Sequence, residues 1–330
     1  MLRYLSLLFA WVRGFCRVLV RRVGEGPLHP DWGLRTELVL MFVRTTLAKG
    51  QEYGNPWLRE LEEWMPASSS ACRACEMERT SIGELSALWC RPKQGRIGQR
   101  TILFFHGGGY VNASSTTHAD LMARLALGSG ADVLGVDYRL APENVFPAMQ
   151  DDALAAWEWL RARGVPASDI ALAGDSSGGS LCLTTLLRLR DAGEEQPVGA
   201  ALISPWIDPF ADGGSMVENA KFDVADRGLL VEWGEMMLGD GDPDHPWVNL
   251  ARAQWHGIAP LHVQVSELEV LRDQIESFAG VAEAAGVELT LDRRPRMFHD
   301  FQNMAAVIPE AAAAIADLNR FLSARFEAAS

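Results

Sequence analysis

The chain has 330 residues, 48% of them apolar and 22% charged, the profile of a soluble globular protein with a large buried core. A net charge of −13 argues against a nucleic-acid partner, which would need a basic surface. Five cysteines (Cys16, Cys72, Cys75, Cys90 and Cys182) are too sparse, and odd in number, for a disulfide scaffold in a chain this long.

Residues 1–65 read as helical and rich in aromatics: Trp11, Phe15, Trp32, Phe42, Trp57 and Trp64. The first stretch, MLRYLSLLFAWVRGFCRVLVRR, is apolar but carries Arg3, Arg13 and Arg17 inside it. It therefore lacks the uninterrupted run of ~18 apolar residues that a spanning helix needs. It also lacks an Ala-x-Ala cleavage site, which weakens a secretory signal. On a helical wheel Arg3, Arg13, Arg17 and Arg21 share one stripe, and Leu, Phe, Trp and Val fill the rest. Two readings stand open: a helix packed on the protein's own core, or a basic amphipathic helix lying in a membrane interface. The expected location is cytoplasmic, either free or membrane-associated through residues 1–22.

EGPLHPDWG (Glu25–Gly33) breaks the helical region in two, and ASSSACRA reads as a linker. Cys72 and Cys75 form a lone Cys-x-x-Cys with no second metal-ligand pair nearby, so they read as plain thiols in a loop or strand start. From about Glu76 the pattern changes to strands: EMERTSI, ELSALWCRP and RTILFFH. Strands and helices then alternate. DVLGVDY precedes a helix over Asp152–Arg163, and DIALAG precedes SLCLTTLLRLRDAG, a helix ending at Gly193. VGAALISPW and LHVQVSE follow as strands, the latter leading into the helix LRDQIESFAGVAEAAG. VELTLD is the last strand, and a helix over Glu310–Phe326 closes the chain. DRGLLVEWGEMML reads as a helix inserted between Pro205 and Pro260. Near-continuous apolar strands alternating with helices predict an α/β fold with a mostly parallel sheet covered on both faces.

GDSSGG (Gly174–Gly179) lies between the strand DIALA and a helix, the context that a Gly-x-Ser-x-Gly nucleophile turn requires. A serine on that sharp turn needs nearly side-chain-free positions two before and two after it. Gly174 and Gly178 supply them around Ser176, whereas Ser177 would be flanked by Asp175 and Gly179. Such a serine needs a base and a carboxylate that orients it, in the chain order serine, acid, histidine. Of the seven histidines, His245, His256, His262 and His299 follow Ser176. His299, in the loop after the last strand, is the candidate base. His262 falls inside a strand, and His245 and His256 fall in the irregular insertion. The loop after LHVQVS offers Glu267, Glu269 and Asp273 as the acid, and chemistry alone does not choose among them. For backbone donors to a developing oxyanion, Ser177 follows the nucleophile and FFHGGGYV follows an earlier strand. His106 in that segment reads as a loop brace, not a base.

HGGG (His106–Gly109), DYRLAPENVFPA (Asp137–Ala148), GDSSGG, EVLRDQ (Glu269–Gln274) and MFHDF (Met297–Phe301) occur in this order. Together they resemble the hormone-sensitive-lipase-like, or bacterial family IV, carboxylesterases of the α/β-hydrolase superfamily. The resemblance implies an α/β-hydrolase fold and ester hydrolysis through an acyl-enzyme, with no metal or organic cofactor. It implies a catalytic Ser176, His299 and Glu269, the last where the family more often has Asp, with Asp273 as the runner-up. It further implies oxyanion donors at Gly108, Gly109 and Ser177, where the family usually has Ala after the nucleophile. Arg139 and Glu143 would brace the loops around the site. Residues 1–65 would form a helical cap over a catalytic domain of 66–330, with a cap insertion at about 208–245. The expected partner is a small hydrophobic ester, and a homodimer is expected. Amide hydrolysis or acyl transfer on the same triad, or ligand binding without catalysis on the same fold, are the alternatives.

Overall fold

The eight segments read as strands become the eight strands of one sheet. A computed structural model describes residues 2–64 and 69–329. Its strands are β1 (Cys75–Ile82), β2 (Leu85–Pro92), β3 (Thr101–Phe105), β4 (Asp132–Asp137), β5 (Ile170–Asp175), β6 (Ala200–Ile203), β7 (Leu261–Ser266) and β8 (Leu289–Arg294). They lie in the order β1-β2-β4-β3-β5-β6-β7-β8. Both ladders that β2 makes, with β1 and with β4, are antiparallel, and all the others are parallel. β3, β5, β6 and β7 are buried along their whole length, which is why they read as continuous apolar runs; the edge strand β8 is only half-buried.

Helices cover both faces. They are α1 (Leu2–Gly24), α2 (Leu34–Tyr53), α3 (Asn55–Glu63), α4 (Ser70–Ala74), α5 (Ala119–Ser129), α6 (Ala148–Ala162), α7 (Ser177–Ala192), α8 (Ser215–Glu218), α9 (Arg227–Leu238), α10 (Arg272–Ala284) and α11 (Pro309–Ala329). The pleat sorts the core in two. Leu103 and Phe105 pack with α6, α7 and α10 through Trp157, Leu186 and Phe278. Ile102 and Phe104, one residue out of phase, pack with α5 and α11 through Leu125 and Leu322.

Three local differences from expectation have physical causes. The helix expected from Asp152 starts a turn earlier, at Ala148, directly after Pro147, whose fixed φ suits a helix start. α5 has no sequence counterpart above. It is buried almost all round, so no polar face marks its period. Of the stretch read as a linker, Ala67 and Ser68 lie outside the described residues, but Ser70–Ala74 is helical. Ser69 caps it by accepting from the Cys72 N–H. All five cysteines are free thiols; Cys72 lies on α4 and Cys75 opens β1. Among the described residues, no helix is long and apolar enough to cross a membrane.

Candidate active site

The carboxyl ends of β3, β5, β7 and β8 carry the loops that build the site, as parallel α/β sheets do. Ser176 sits between β5 and α7 with φ 50° and ψ −119°, a backbone conformation that costs energy for any residue with a Cβ. The turn closes because its flanks are bare. A Cβ on Gly178 would lie 1.9 Å from the Phe105 carbonyl oxygen, and one on Gly174 would lie 2.6 Å from the backbone of Gly178. The buried Ser176 side chain borders a cavity of about 170 Å³ that His299, Gly108 and Gly109 also line.

His299 comes from the loop after β8. Its Nδ1 lies 2.8 Å from Glu269 Oε2, and its Nε2 lies 3.1 Å from Asp300 Oδ2. Glu269 is fully buried, and its other oxygen accepts from the Ser266 N–H at 2.8 Å. The other two candidate carboxylates turn elsewhere. Glu267 accepts from the Arg296 N–H, and Asp273 accepts from the Ser215 N–H beside Arg272. The other three histidines after Ser176 lie elsewhere: His262 faces Asp292 on β8, His245 packs between Phe146 and Trp247, and His256 is exposed in a turn. None of the three borders the cavity.

The glycine loop after β3 has φ 105° at Gly108 and 61° at Gly109. A Cβ on Gly108 would strike the Asn112 carbonyl oxygen at 2.3 Å. Among the described residues, nothing accepts a hydrogen bond from the backbone N–H of Gly108, Gly109 or Ser177. The Ser177 hydroxyl, where an alanine is usual, accepts from the Tyr110 N–H at 3.2 Å and ties the helix start to the glycine loop. His106 is a brace: its ring stacks on Tyr138 at 4.3 Å, and its Nδ1 lies 2.7 Å from the Gly107 oxygen. Burial, then the nearby His118, pushes its imidazole down to about 4. Arg139 pairs with Asp152 of α6. Glu143 pairs with Arg59 of α3, which also donates to the Val111 carbonyl.

Residues 102–303 match the family described as alpha/beta hydrolase fold. The chain belongs to the α/β-hydrolase family. Its relatives include an acetyl-hydrolase, esterases and a solved esterase of the bacterial hormone-sensitive lipase family. An acetyl-hydrolase of Streptomyces hygroscopicus is 37% identical over 73% of this chain and 81% of its own. An esterase of Acinetobacter venetianus is 33% identical over 67% of this chain and 73% of its own. A solved esterase from the bacterial hormone-sensitive lipase family superimposes with a TM-score of 0.84 at 34% identity, over 90% of this chain and 99% of that one.

This α/β hydrolase carries several site groups that motif spacing did not single out. Asp175, the variable residue before Ser176, accepts from the Gly107 N–H and from Asn303 Nδ2, and meets His118 Nε2, each at 3.0 Å. It ties the Ser176 turn to both neighbouring loops, and its place inside the motif was the one available signal. Asp223, in the irregular insertion, had none. It is fully buried and accepts from the N–H groups of both Val270 and His299, so one carboxyl pins the acid loop and the histidine loop together. Burial pushes its carboxyl up to about 6, against the pull of His299. Glu62 of α3 borders the cavity and accepts from the Ala113 N–H. Burial raises it to about 7 despite that bond. Burial likewise raises Asp300 to about 7, with His299 opposing and Asp175 adding to the rise. Burial would push the His299 imidazole down, but Asp300, then Glu269, outweigh it and hold it well above its usual value.

Proposed function

We propose that this carboxylic ester hydrolase cleaves short-acyl esters through Ser176, His299 and Glu269. The observation that carries the reading is the buried His299–Glu269 contact of 2.8 Å, on the cavity that Ser176 borders. A carboxylate only accepts, so Glu269 keeps the hydrogen of His299 on Nδ1 and leaves Nε2 as the base. Ser176 Oγ attacks the ester carbonyl carbon while Nε2 takes the hydroxyl proton. The oxyanion that forms is met by the N–H groups of Gly108, Gly109 and Ser177, at the start of a helix whose dipole also favours negative charge. His299 then returns the proton to the leaving alcohol, and an acyl-Ser176 remains. Water, deprotonated by the same nitrogen, releases the acid and restores the serine.

A helical cap of residues 1–65, with the insertion at about 208–245, over a catalytic domain of 66–330 belongs to this proposal. Val43 and Leu47 of α2, with Leu230 and Trp233 of α9, line the cavity and support that division. The cavity's size, about 170 Å³ against the ~300 Å³ at which drug-sized sites begin, supports a short acyl group. That one relative is named an acetyl-hydrolase agrees with it. Ser176→Ala is expected to lower kcat/KM on p-nitrophenyl acetate by about 10,000-fold or more and to abolish labelling by a fluorophosphonate. Full activity in that variant would overturn the triad.

A further inference from the structure

Half of the large apolar side chains that are exposed among the described residues lie on one helix, α1. There are nine of them, including Leu5, Leu8, Phe9, Val12 and Val20; Phe9 is 69% exposed and Val20 73%. At the helical repeat they fall within an arc of about 140°. The opposite face meets the protein: Leu7 and Val18 are buried, and Trp11 Nε1 donates to Thr46 of α2. Arg13 and Arg17 flank the apolar arc, exposed and without an ion-pair partner among the described residues. Arg21 and Arg22 are different, since both pair with Glu37.

We propose that α1 docks the protein on an anionic lipid bilayer, lying in the interface with its apolar arc among the acyl chains. The charge pattern selects this occupant. α1 carries five arginines and no acidic residue in a chain of net charge −13. A second copy of the helix would bring more guanidinium groups and no carboxylate. Anionic headgroups supply the missing counter-charge, and the distant acidic surface is screened over a Debye length of about 8 Å. Because α1 rests on α2, whose Val43 and Leu47 line the cavity, docking sets the bilayer against the roof of the site. The proposal does not depend on the role of Ser176.

The test is co-sedimentation of the full chain with vesicles of phosphatidylcholine alone and of phosphatidylcholine mixed with phosphatidylglycerol. The protein is expected to pellet with the mixed vesicles and to be released by high salt. Arg13→Gln/Arg17→Gln is expected to weaken that partition by about fivefold per arginine. Phe9→Ser/Val12→Ser is expected to abolish it. Both variants should keep the parent rate on p-nitrophenyl acetate in solution, which shows that they fold. A parent protein left in the supernatant with mixed vesicles, or variants that bind as it does, would overturn the proposal. So would a parent dimer in sedimentation equilibrium that Phe9→Ser/Val12→Ser splits into monomers, since a second copy would then cover the face.

Discussion

His299 stands between two carboxylates, and the two act in opposite senses. Glu269 on Nδ1 sets the tautomer in which Nε2 can take a proton. Glu269→Gln offers an amide that can present a donor to Nδ1, and kcat on p-nitrophenyl acetate is expected to fall by about 1,000-fold or more with little change in KM. Glu267→Gln, in a loop facing Arg296, should leave kcat within about twofold, because exposed substitutions away from a site have small effects. Asp300 sits 3.1 Å from Nε2, the nitrogen assigned as base in the proposed mechanism, and its charge favours the imidazolium. In the proposed mechanism the free enzyme needs neutral His299, so a raised imidazole pKa moves the acid limb of kcat/KM to higher pH. Asp300→Asn removes that charge, and the limb is expected to shift down by about one pH unit or more. Asparagine also tolerates the left-handed backbone at this position, φ 54°. A pH–rate profile unchanged from the parent would remove Asp300 from the account.

At the scale of elements, the turn from β5 to α7 is held by two glycines that do different work from the other glycines of the chain. Gly178 touches the backbone of β3, so Gly178→Ala forces two elements apart. The expected loss is about 3 kcal/mol or more, read as a fall in Tm or in soluble yield. Gly280, exposed on α10 with nothing within 4 Å of an added Cβ, is the contrast. Gly280→Ala should stabilise by about 0.5–1 kcal/mol, because alanine loses less backbone freedom in a helix. Equal Tm values for the two variants would contradict the account of the turn. Both glycines of the motif were legible in the sequence, because the constraint they answer is local.

For the whole molecule, side chains from α2 and α9, far in the chain from Ser176, help to wall the cavity. Trp233 of α9 comes against the Cα of Gly109, where an added Cβ would lie 2.2 Å from its ring. It lines one side of the cavity from an insertion far in the chain from both Ser176 and His299. Trp233→Ala opens that side. The ratio of kcat/KM for p-nitrophenyl octanoate to that for the acetate is expected to rise about tenfold or more. An unchanged ratio would mean that the acyl group lies elsewhere in the cavity. Asp223 shows the same coupling from the other end of the insertion, since it anchors both loops that carry Glu269 and His299.

The sequence by itself determined the eight strands, most of the helices between them, the α/β class and the turn around Ser176. Each of these rests on contacts between near neighbours or on the period of apolar residues, which a linear string records. Tertiary structure alone decided which of Glu267, Glu269 and Asp273 reaches His299, because all three are chemically able and lie within seven residues. It alone brought Asp223 to the backbone N–H of His299 and turned the apolar arc of α1 outward. Those outcomes depend on how elements far apart in the chain pack, and no local pattern encodes the distance between two such surfaces.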